Sequence, residues 1–133
     1  MSYLLDTDIC IYWLKNREPF RTKVFEIGWQ NLAISQITVA ELYYGAYNAT
    51  QERVEPNLKR VEGFIGSIEV LELNQSVLVE FGRLKARLRK QGKVVADFDL
   101  LIASFAIARD RILFTNNIRH YRSIPNLELE TAI

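Results

Sequence analysis

Short runs of apolar residues alternate along the chain with longer segments whose apolar positions recur at helical spacing. The short runs are typical of buried strands and cover residues 3–5, 32–35, 68–73 and 112–115, with a weaker alternating run at 127–130. The spacing between them predicts helices over 8–15, 19–29 and 38–48, and further helices around 54–65, 77–88 and 100–108. The last of these is apolar on almost every side, so we expect it to be buried.

This order of elements predicts the fold class. Strands that alternate with helices favour an α/β three-layer sandwich, with a mostly parallel central sheet of about five strands flanked by helices. The 133 residues contain no internal repeat and no linker rich in Pro, Gly or Ser, so we predict a single domain over 1–133. Ligands of such sheets bind outside the carboxyl ends of the strands. Functional residues are therefore expected where the predicted strands end.

Composition and charge exclude several classes of function. The 17 Lys and Arg against 16 Asp and Glu give a net charge of +1, so any surface for nucleic acid must be local. A single cysteine, Cys10, excludes an internal disulfide, and a single histidine, His120, excludes a zinc site with two histidines. We find neither a bilayer-spanning apolar stretch nor a secretory signal, so we expect a cytoplasmic protein without membrane association.

Acidic residues stand near the ends of predicted strands and the starts of predicted helices. Asp6 follows the first strand, Glu41 is the only charge in a long neutral stretch, and Asp97 and Asp99 lead into the most apolar helix. Each also has a structural explanation, because helix caps and first turns favour acids. In particular, Thr38 and Glu41 match a capping box, and one of the two aspartates is expected to cap its helix.

Asparagines follow the strand at 112–115, and alone Asn116 and Asn117 are typical turn residues. A gathering of several acids has a different consequence, since two carboxylates at ~4 Å repel by about 4 kcal/mol at an effective dielectric of 20. Such a cluster needs protons or a cation. Ligands that offer only oxygen select Mg²⁺ or Mn²⁺. The sequence therefore predicts a metal-assisted hydrolysis of a phosphodiester.

Four motifs carry a family resemblance: LDTDICIY at 5–12, ITVAELYYGA at 37–46, DLLIA at 99–103 and FTNNIRHY at 114–121. With these motifs in this order, the sequence resembles the PIN-domain ribonucleases, and within them the VapC-type toxins of type II toxin–antitoxin pairs. The resemblance extends over residues 3–131. It implies a PIN-like fold and a Mg²⁺-dependent endoribonuclease, with Mn²⁺ as a substitute. The implied substrate is a structured RNA such as tRNA or rRNA, cut to a 5′-phosphate and a 3′-hydroxyl.

The resemblance also implies the residues of the site. Asp6, Glu41 and Asp99 would be the acidic catalytic and metal-binding residues. The fourth family position is Asp or Asn, and we assign it to Asn117, which leaves the number of metal ions open. Asp8, often Asn in the family, is interpreted as a helix cap. Three neighbouring residues are assigned as auxiliary members of the site: Asp97, Asn116 and Thr115.

Partners follow from the same resemblance. It implies a cognate VapB-like antitoxin that inserts a C-terminal segment along the cleft, a homodimer, and contact with DNA only through the antitoxin. The segment 82–93 is basic and contains no acid, so it is predicted to contact RNA, although a solvated helix face explains the charge equally well. The predicted RNA-binding residues are Arg83, Lys85, Arg87, Arg89 and Lys90.

Two alternatives belong to other classes. Asp6 in the triplet 6–8 resembles the nucleophile of haloacid-dehalogenase-like phosphatases, but the downstream Lys and acidic motif of that class are not evident. A non-catalytic metal-binding or receiver-like α/β module is the second alternative. It is weakened by Asn74, which stands where a receiver would have its phosphate-accepting Asp.

Overall fold

The centre of the molecule is a parallel sheet of five strands. The computed structural model describes residues 1–133. The sheet has the order β3-β2-β1-β4-β5, and every neighbouring pair is parallel. The predicted α/β class is therefore confirmed. The strands are β1 (Tyr3–Leu5), β2 (Leu32–Ser35), β3 (Glu69–Leu71), β4 (Ile112–Phe114) and β5 (Leu129–Glu130).

Helices connect the strands, and their bounds refine the predicted ones. The predicted helix at 19–29 ends earlier because Gly28 has a φ of 92°, a left-handed conformation that glycine accepts readily. A 3₁₀ turn at Trp29–Asn31 follows it. The helices are α1 (Thr7–Leu14), α2 (Phe20–Ile27), α3 (Gln36–Tyr47), α4 (Gln51–Ile65), α5 (Gln75–Lys90), α6 (Asp97–Ala108) and α7 (Ile118–Tyr121).

Two hydrophobic cores lie on opposite faces of the sheet. Successive strand residues point to opposite faces, so Leu4 joins one core and Leu5 the other. The first core packs the sheet against α5, α6 and α7, and the second packs it against α1, α2, α3 and α4. Helix α6 is buried along most of its length, as predicted. Together the layers form the expected three-layer sandwich.

The topology brings the ends of β1 and β4 together. Leu5 and Phe114 are register partners in the parallel pair, so the residues that follow them emerge side by side. The Asp6 backbone N–H donates to the Phe114 carbonyl at 2.9 Å, which continues the pairing past the end of β1. This edge is where we expect ligands to bind. No helix combines the length and the apolar character needed to cross a membrane.

Candidate metal and active site

Asp6 is a buried carboxylate at the carboxyl end of β1, with only 4% of its surface exposed. It is the N-cap of α1, and its Oδ1 accepts from the Thr7 backbone N–H at 2.8 Å. Its Oδ2 accepts from the Thr115 hydroxyl at 2.7 Å. These donors are neutral, so burial, reinforced by the charge of Asp8, raises the pKa of Asp6 from 3.8 to about 7. Asp6 is therefore a buried acid whose charge has no cationic partner.

Asp8 lies on the first turn of α1 and faces the same edge of the sheet. Its Oδ1 accepts from the Ile9 backbone N–H at 2.7 Å, and its Oδ2 accepts from the Asn116 backbone N–H at 2.9 Å. Burial raises its pKa, and the nearby charge of Asp99 raises it further. The prediction that Asp8 is the helix cap is wrong, because Asp6 occupies that position. Asp8 instead connects α1 to the loop after β4.

Asp97 and Asp99 stand two residues apart on the first turn of α6 and point in different directions. The N-cap of α6 is Ala96, so the expectation that one of these aspartates caps the helix is wrong. The Asp97 side chain is 59% exposed and pairs with Lys85 at 2.8 Å. The Asp99 side chain is 26% exposed, and its Oδ2 lies 3.1 Å from Nδ1 of His120. Only Asp99 therefore faces the other acids of the site.

Glu41 reaches the site from α3 through a threonine. Its Oε1 accepts from the Thr7 hydroxyl at 2.6 Å, and that hydroxyl lies 3.0 Å from the Thr38 hydroxyl. Because Thr7 also donates its backbone N–H to Asp6, one residue contacts both acids. The predicted capping box is wrong. Helix α3 begins at Gln36, and its cap is Ser35, whose hydroxyl accepts from the Thr38 N–H at 3.2 Å.

The segment after β4 forms the other wall of the site. Thr115 is wholly buried, and its hydroxyl oxygen donates to Asp6 while accepting from the Asn117 backbone N–H at 2.9 Å. Asn116 contributes its backbone N–H to Asp8. Asn117 occupies the N-cap position of α7 without a side-chain cap hydrogen bond, and it is exposed. The segment thus positions the acids chiefly through Thr115 and through backbone groups.

Three residues that contact these acids are not predicted from the sequence: Thr7, His120 and Tyr121. The Tyr121 hydroxyl lies 3.4 Å from Oδ1 of Asp99. Asn117, His120 and Tyr121 are spaced i, i+3 and i+4, which places them on neighbouring positions of one helical turn. The sequence already contains that spacing. It indicates that α7 lies beside the acids only when β1 and β4 are known to be neighbours in the sheet.

The donor set can be tested against a divalent metal ion. No three His, Cys, Asp or Glu side chains lie close enough together to hold one ion. Mg²⁺, however, is usually bound through one or two carboxylates and keeps several waters, which substrate phosphates can replace. Asp6, Asp8 and Asp99 offer only oxygen, so two of them can supply such carboxylates, and the repulsion of Asp8 with Asp6 and with Asp99 favours a cation nearby. The residues fit Mg²⁺ or Mn²⁺ with a shell completed by water.

Comparison with known proteins identifies the family. The PIN domain model matches residues 3–124. The chain is 35% identical over 130 residues to the tRNA(fMet)-specific endonuclease VapC of Salmonella typhimurium, covering 98% of this chain and 97% of the relative. It is 36% identical over 132 residues to ribonuclease VapC2 of Rickettsia felis, covering 98% and 97%. The chain belongs to the VapC ribonucleases of the PIN-domain family.

Solved structures of VapC proteins agree with this assignment. In DNA-bound VapBC from Salmonella typhimurium, the matching chain has a TM-score of 0.92 at 35% identity, over 100% of this chain and 99% of that one. In VapBC2 from Rickettsia felis bound to a promoter DNA fragment, the TM-score is 0.89 at 35% identity over 98% of both chains. The predicted resemblance is confirmed, and the match favours the VapC family over the phosphatase and receiver-like alternatives.

The basic residues predicted to contact RNA lie on α5 of this VapC ribonuclease. Arg83 forms an ion pair with Glu80, and Lys85 pairs with Asp97 beside the site. The other three stand in the last turn of the helix and are exposed: Arg87, Arg89 and Lys90. Two of the five predicted residues are thus engaged with acids of the same chain, and three present free positive charge.

Proposed function

We propose that this VapC ribonuclease is a Mg²⁺-dependent endoribonuclease toxin that cuts a structured RNA inside the cytoplasm. The observation that carries the proposal is the buried, uncompensated charge at the carboxyl ends of β1 and β4. Asp6 has a pKa raised to about 7 and no cationic partner, while Asp8 and Asp99 lie within electrostatic reach. A divalent cation held by two of these acids would offset the repulsion among the three and favour their ionised forms.

Each acid has a role in this proposal. Bound Mg²⁺ supplies charge for the phosphate oxygens and lowers the pKa of a water. Asp6 and Asp99 would hold the ion, with Asp8 beside them. Thr7 fixes Oε1 of Glu41, which leaves Oε2 to orient the attacking water and take its proton. Asn117 contributes an exposed amide on the opposite wall, next to Thr115.

The covalent change is a hydrolysis. The water oxygen would attack phosphorus as the bond from phosphorus to the 3′-oxygen breaks. The 3′-oxygen would leave as an alkoxide and take a proton from solvent, so that the products carry a 5′-phosphate and a 3′-hydroxyl. The auxiliary residues support the site indirectly. Thr115 and Asn116 hold Asp6 and Asp8 through their hydroxyl and backbone N–H, whereas Asp97 holds Lys85 at the edge of the basic helix.

We propose tRNA as the first substrate to test, ahead of rRNA, because the similar VapC proteins of Salmonella typhimurium and Shigella flexneri are named tRNA(fMet)-specific. The exposed arginines and lysine at the end of α5 would attract the phosphate backbone without reading sequence. Folded RNA is recognised largely by shape, which is consistent with the absence of an obvious base-reading surface in the sequence.

A VapB-like antitoxin is the proposed inhibitor, as in the VapBC structures that this chain resembles. A groove beside Glu41 runs between α1, α3 and α4, and it offers an apolar floor with basic sides for an antitoxin segment. An antitoxin Arg would be attracted to the acids at the end of the groove. We further propose a homodimer that contacts DNA only through its antitoxin. The groove is lined by Ile11, Leu14, Lys15, Glu41, Leu42 and Arg60, among others.

Cleavage of defined tRNAs tests the proposal. Purified protein is incubated with initiator tRNA, an elongator tRNA and an rRNA stem-loop, in Mg²⁺, Mn²⁺ or EDTA, and the new ends are mapped. We expect cleavage only with a divalent ion and only by the unmodified chain, with Asp6→Asn as the inactive control. Cleavage of equal rate in EDTA, or by Asp6→Asn, would refute the metal mechanism. An aspartyl-phosphate trapped on Asp6 would instead indicate a phosphatase.

A further inference from the structure

Tyr121 carries a hydroxyl into the floor of the acidic site. The residue is wholly buried at the end of α7, in the same hydrophobic core as Leu4 and Leu113 of the neighbouring strands. Its hydroxyl lies 3.4 Å from Oδ1 of Asp99. A neutral donor from the core therefore stands beside Asp99, next to the ends of β1 and β4.

The hydroxyl acts as a donor in this contact. An ordinary phenol has a pKa of about 10, so it carries its one proton at neutral pH, and the group that accepts this proton here is a carboxylate. Whichever oxygen takes the proton, the ring is fixed by core packing, so the position of the donor does not change.

Asp99 is held from two sides by consecutive residues. His120 contacts its Oδ2 at 3.1 Å, and Tyr121 contacts its Oδ1. The two contacts differ in exposure: His120 lies at the surface, whereas the Tyr121 ring is inaccessible to solvent. Only the tyrosine is anchored in the core that α7 shares with β1 and β4, so its hydroxyl is the contact that fixes Asp99 relative to the end of β1.

We propose that Tyr121 is a positioning residue whose buried hydroxyl orients Asp99 toward Asp6, so that the two carboxylates can share one divalent cation. This inference rests on the proposed metal-dependent function. Outer groups that hydrogen-bond metal ligands orient them, and their removal typically weakens metal binding by about 10–100-fold. The Tyr121 ring would stabilise the hydrophobic core, whereas its hydroxyl would orient Asp99 for metal binding.

The test separates these two uses of the side chain. Tyr121→Phe keeps the ring and removes only the hydroxyl, so the packing and the melting temperature should change little. We expect Mn²⁺ affinity, measured by electron paramagnetic resonance on the full chain, to fall by about 10–100-fold. At fixed Mn²⁺ the kcat for RNA cleavage should fall while KM for RNA is unchanged, and added Mn²⁺ should restore part of the rate.

Tyr3→Phe is the matched control, because Tyr3 is half-buried at the amino end of β1, away from the site. It should bind Mn²⁺ like the unmodified chain. If Tyr121→Phe fails to fold, Tyr121→Met also lacks the hydroxyl, and its flexible side chain adapts to the core. Unchanged Mn²⁺ affinity in a folded Tyr121 variant would overturn the positioning role while leaving the nuclease intact. An unmodified chain that neither binds Mn²⁺ nor cuts RNA would overturn both proposals.

Discussion

Two regions of this molecule bury a carboxylate, and they treat its charge differently. At the carboxyl ends of β1 and β4, Asp6 is 4% exposed, and on α5, Glu80 is 8% exposed. Glu80 has an arginine one helical turn away, Arg83, which forms an ion pair with it. Asp6 receives hydrogen bonds only from neutral groups of Thr7 and Thr115, and its neighbours Asp8 and Asp99 are acidic.

The difference shows what each carboxylate does. A buried charge is costly unless it is paired, and the pairing of Glu80 satisfies that requirement inside the chain. Asp6 has no cationic partner, and because its charged form is buried, its pKa is raised to about 7. Strongly shifted acids of this kind concentrate at functional sites. The carboxylate of Asp6 is therefore available to bind a cationic ligand, whereas the carboxylate of Glu80 is already paired with Arg83.

The largest expected effect comes from exchanging each acid for its amide. Asp6→Asn should lower RNA cleavage by more than about 100-fold, a loss beyond that of groups that only orient metal ligands. The variant should melt no lower than the unmodified chain, because it removes repulsion from a buried site. Glu80→Gln should do the opposite, with a lower melting temperature and normal cleavage. Calorimetry gives the melting temperature of each variant, and initial rates give its RNA cleavage. If both variants changed in the same way, the contrast between Asp6 and Glu80 would be contradicted.

Stability should depend on pH through the same aspartate. The folded chain holds a proton on Asp6 between pH 4 and 7, whereas the unfolded chain, with the ordinary pKa of 3.8, releases it. The contribution of Asp6 to stability is therefore greatest below pH 4, and it falls by up to about 4 kcal/mol as the pH rises to 7. Urea unfolding at several pH values measures the slope. Asp6→Asn should flatten it, and an unchanged slope would show that another group is responsible.

The paired aspartates of α6 sharpen the contrast within one helical turn. Asp99→Asn should lower the cleavage rate by about 100-fold, whereas Asp97→Asn should change it by a few-fold at most. The reason is that Asp99 faces the other acids, while Asp97 is exposed and pairs with Lys85. Measurement of kcat for both variants decides, with circular dichroism to confirm that both fold. Equal losses would mean that the orientation of these side chains differs from the one described.

A smaller effect is expected at Thr115, which holds Asp6 and the backbone of Asn117 together. Thr115→Val keeps the shape but removes the hydroxyl, so the pKa of Asp6 should rise further and the rate should fall by about 10-fold near pH 7. Raising the pH should recover part of this loss. Thr22→Val removes an exposed hydroxyl on α2 and is the control. A loss that persists unchanged at high pH would contradict a role through Asp6.

Much of the fold is predictable from the pattern of apolar residues. The five strands and the major helices follow from runs such as 3–5 and 112–115, because buried parallel strands are nearly continuous in apolar residues. The exact ends of the helices are harder to predict from the sequence. Helix α3 begins at Gln36 rather than near Thr38, because the Ser35 hydroxyl caps it, and a serine after a buried strand gave no clear signal against a neighbouring threonine.

The candidate site was predictable in part. Asp6 and Asp99 follow from the order of the four family motifs, since each acid taken alone also suits a helix cap or a first turn. The resemblance predicts a helix cap at Asp8, because that family position is often Asn, and the structure places Asp6 there instead. Tyr121 was missed for a different reason. Its hydroxyl matters only through its distance to Asp99, and an apolar ring in a short helix gives no sign of that contact.

The central claim is that the acids at the carboxyl ends of β1 and β4 bind a divalent cation in place of protons. Calorimetric titration of Mn²⁺ into the purified chain at pH 6, repeated in buffers of different ionisation enthalpy, tests it most directly. Because the pKa of Asp6 is about 7, binding should release close to one proton, and affinity should rise with pH up to about 7. Absence of binding, or binding without proton release that Asp6→Asn leaves unchanged, would contradict the account.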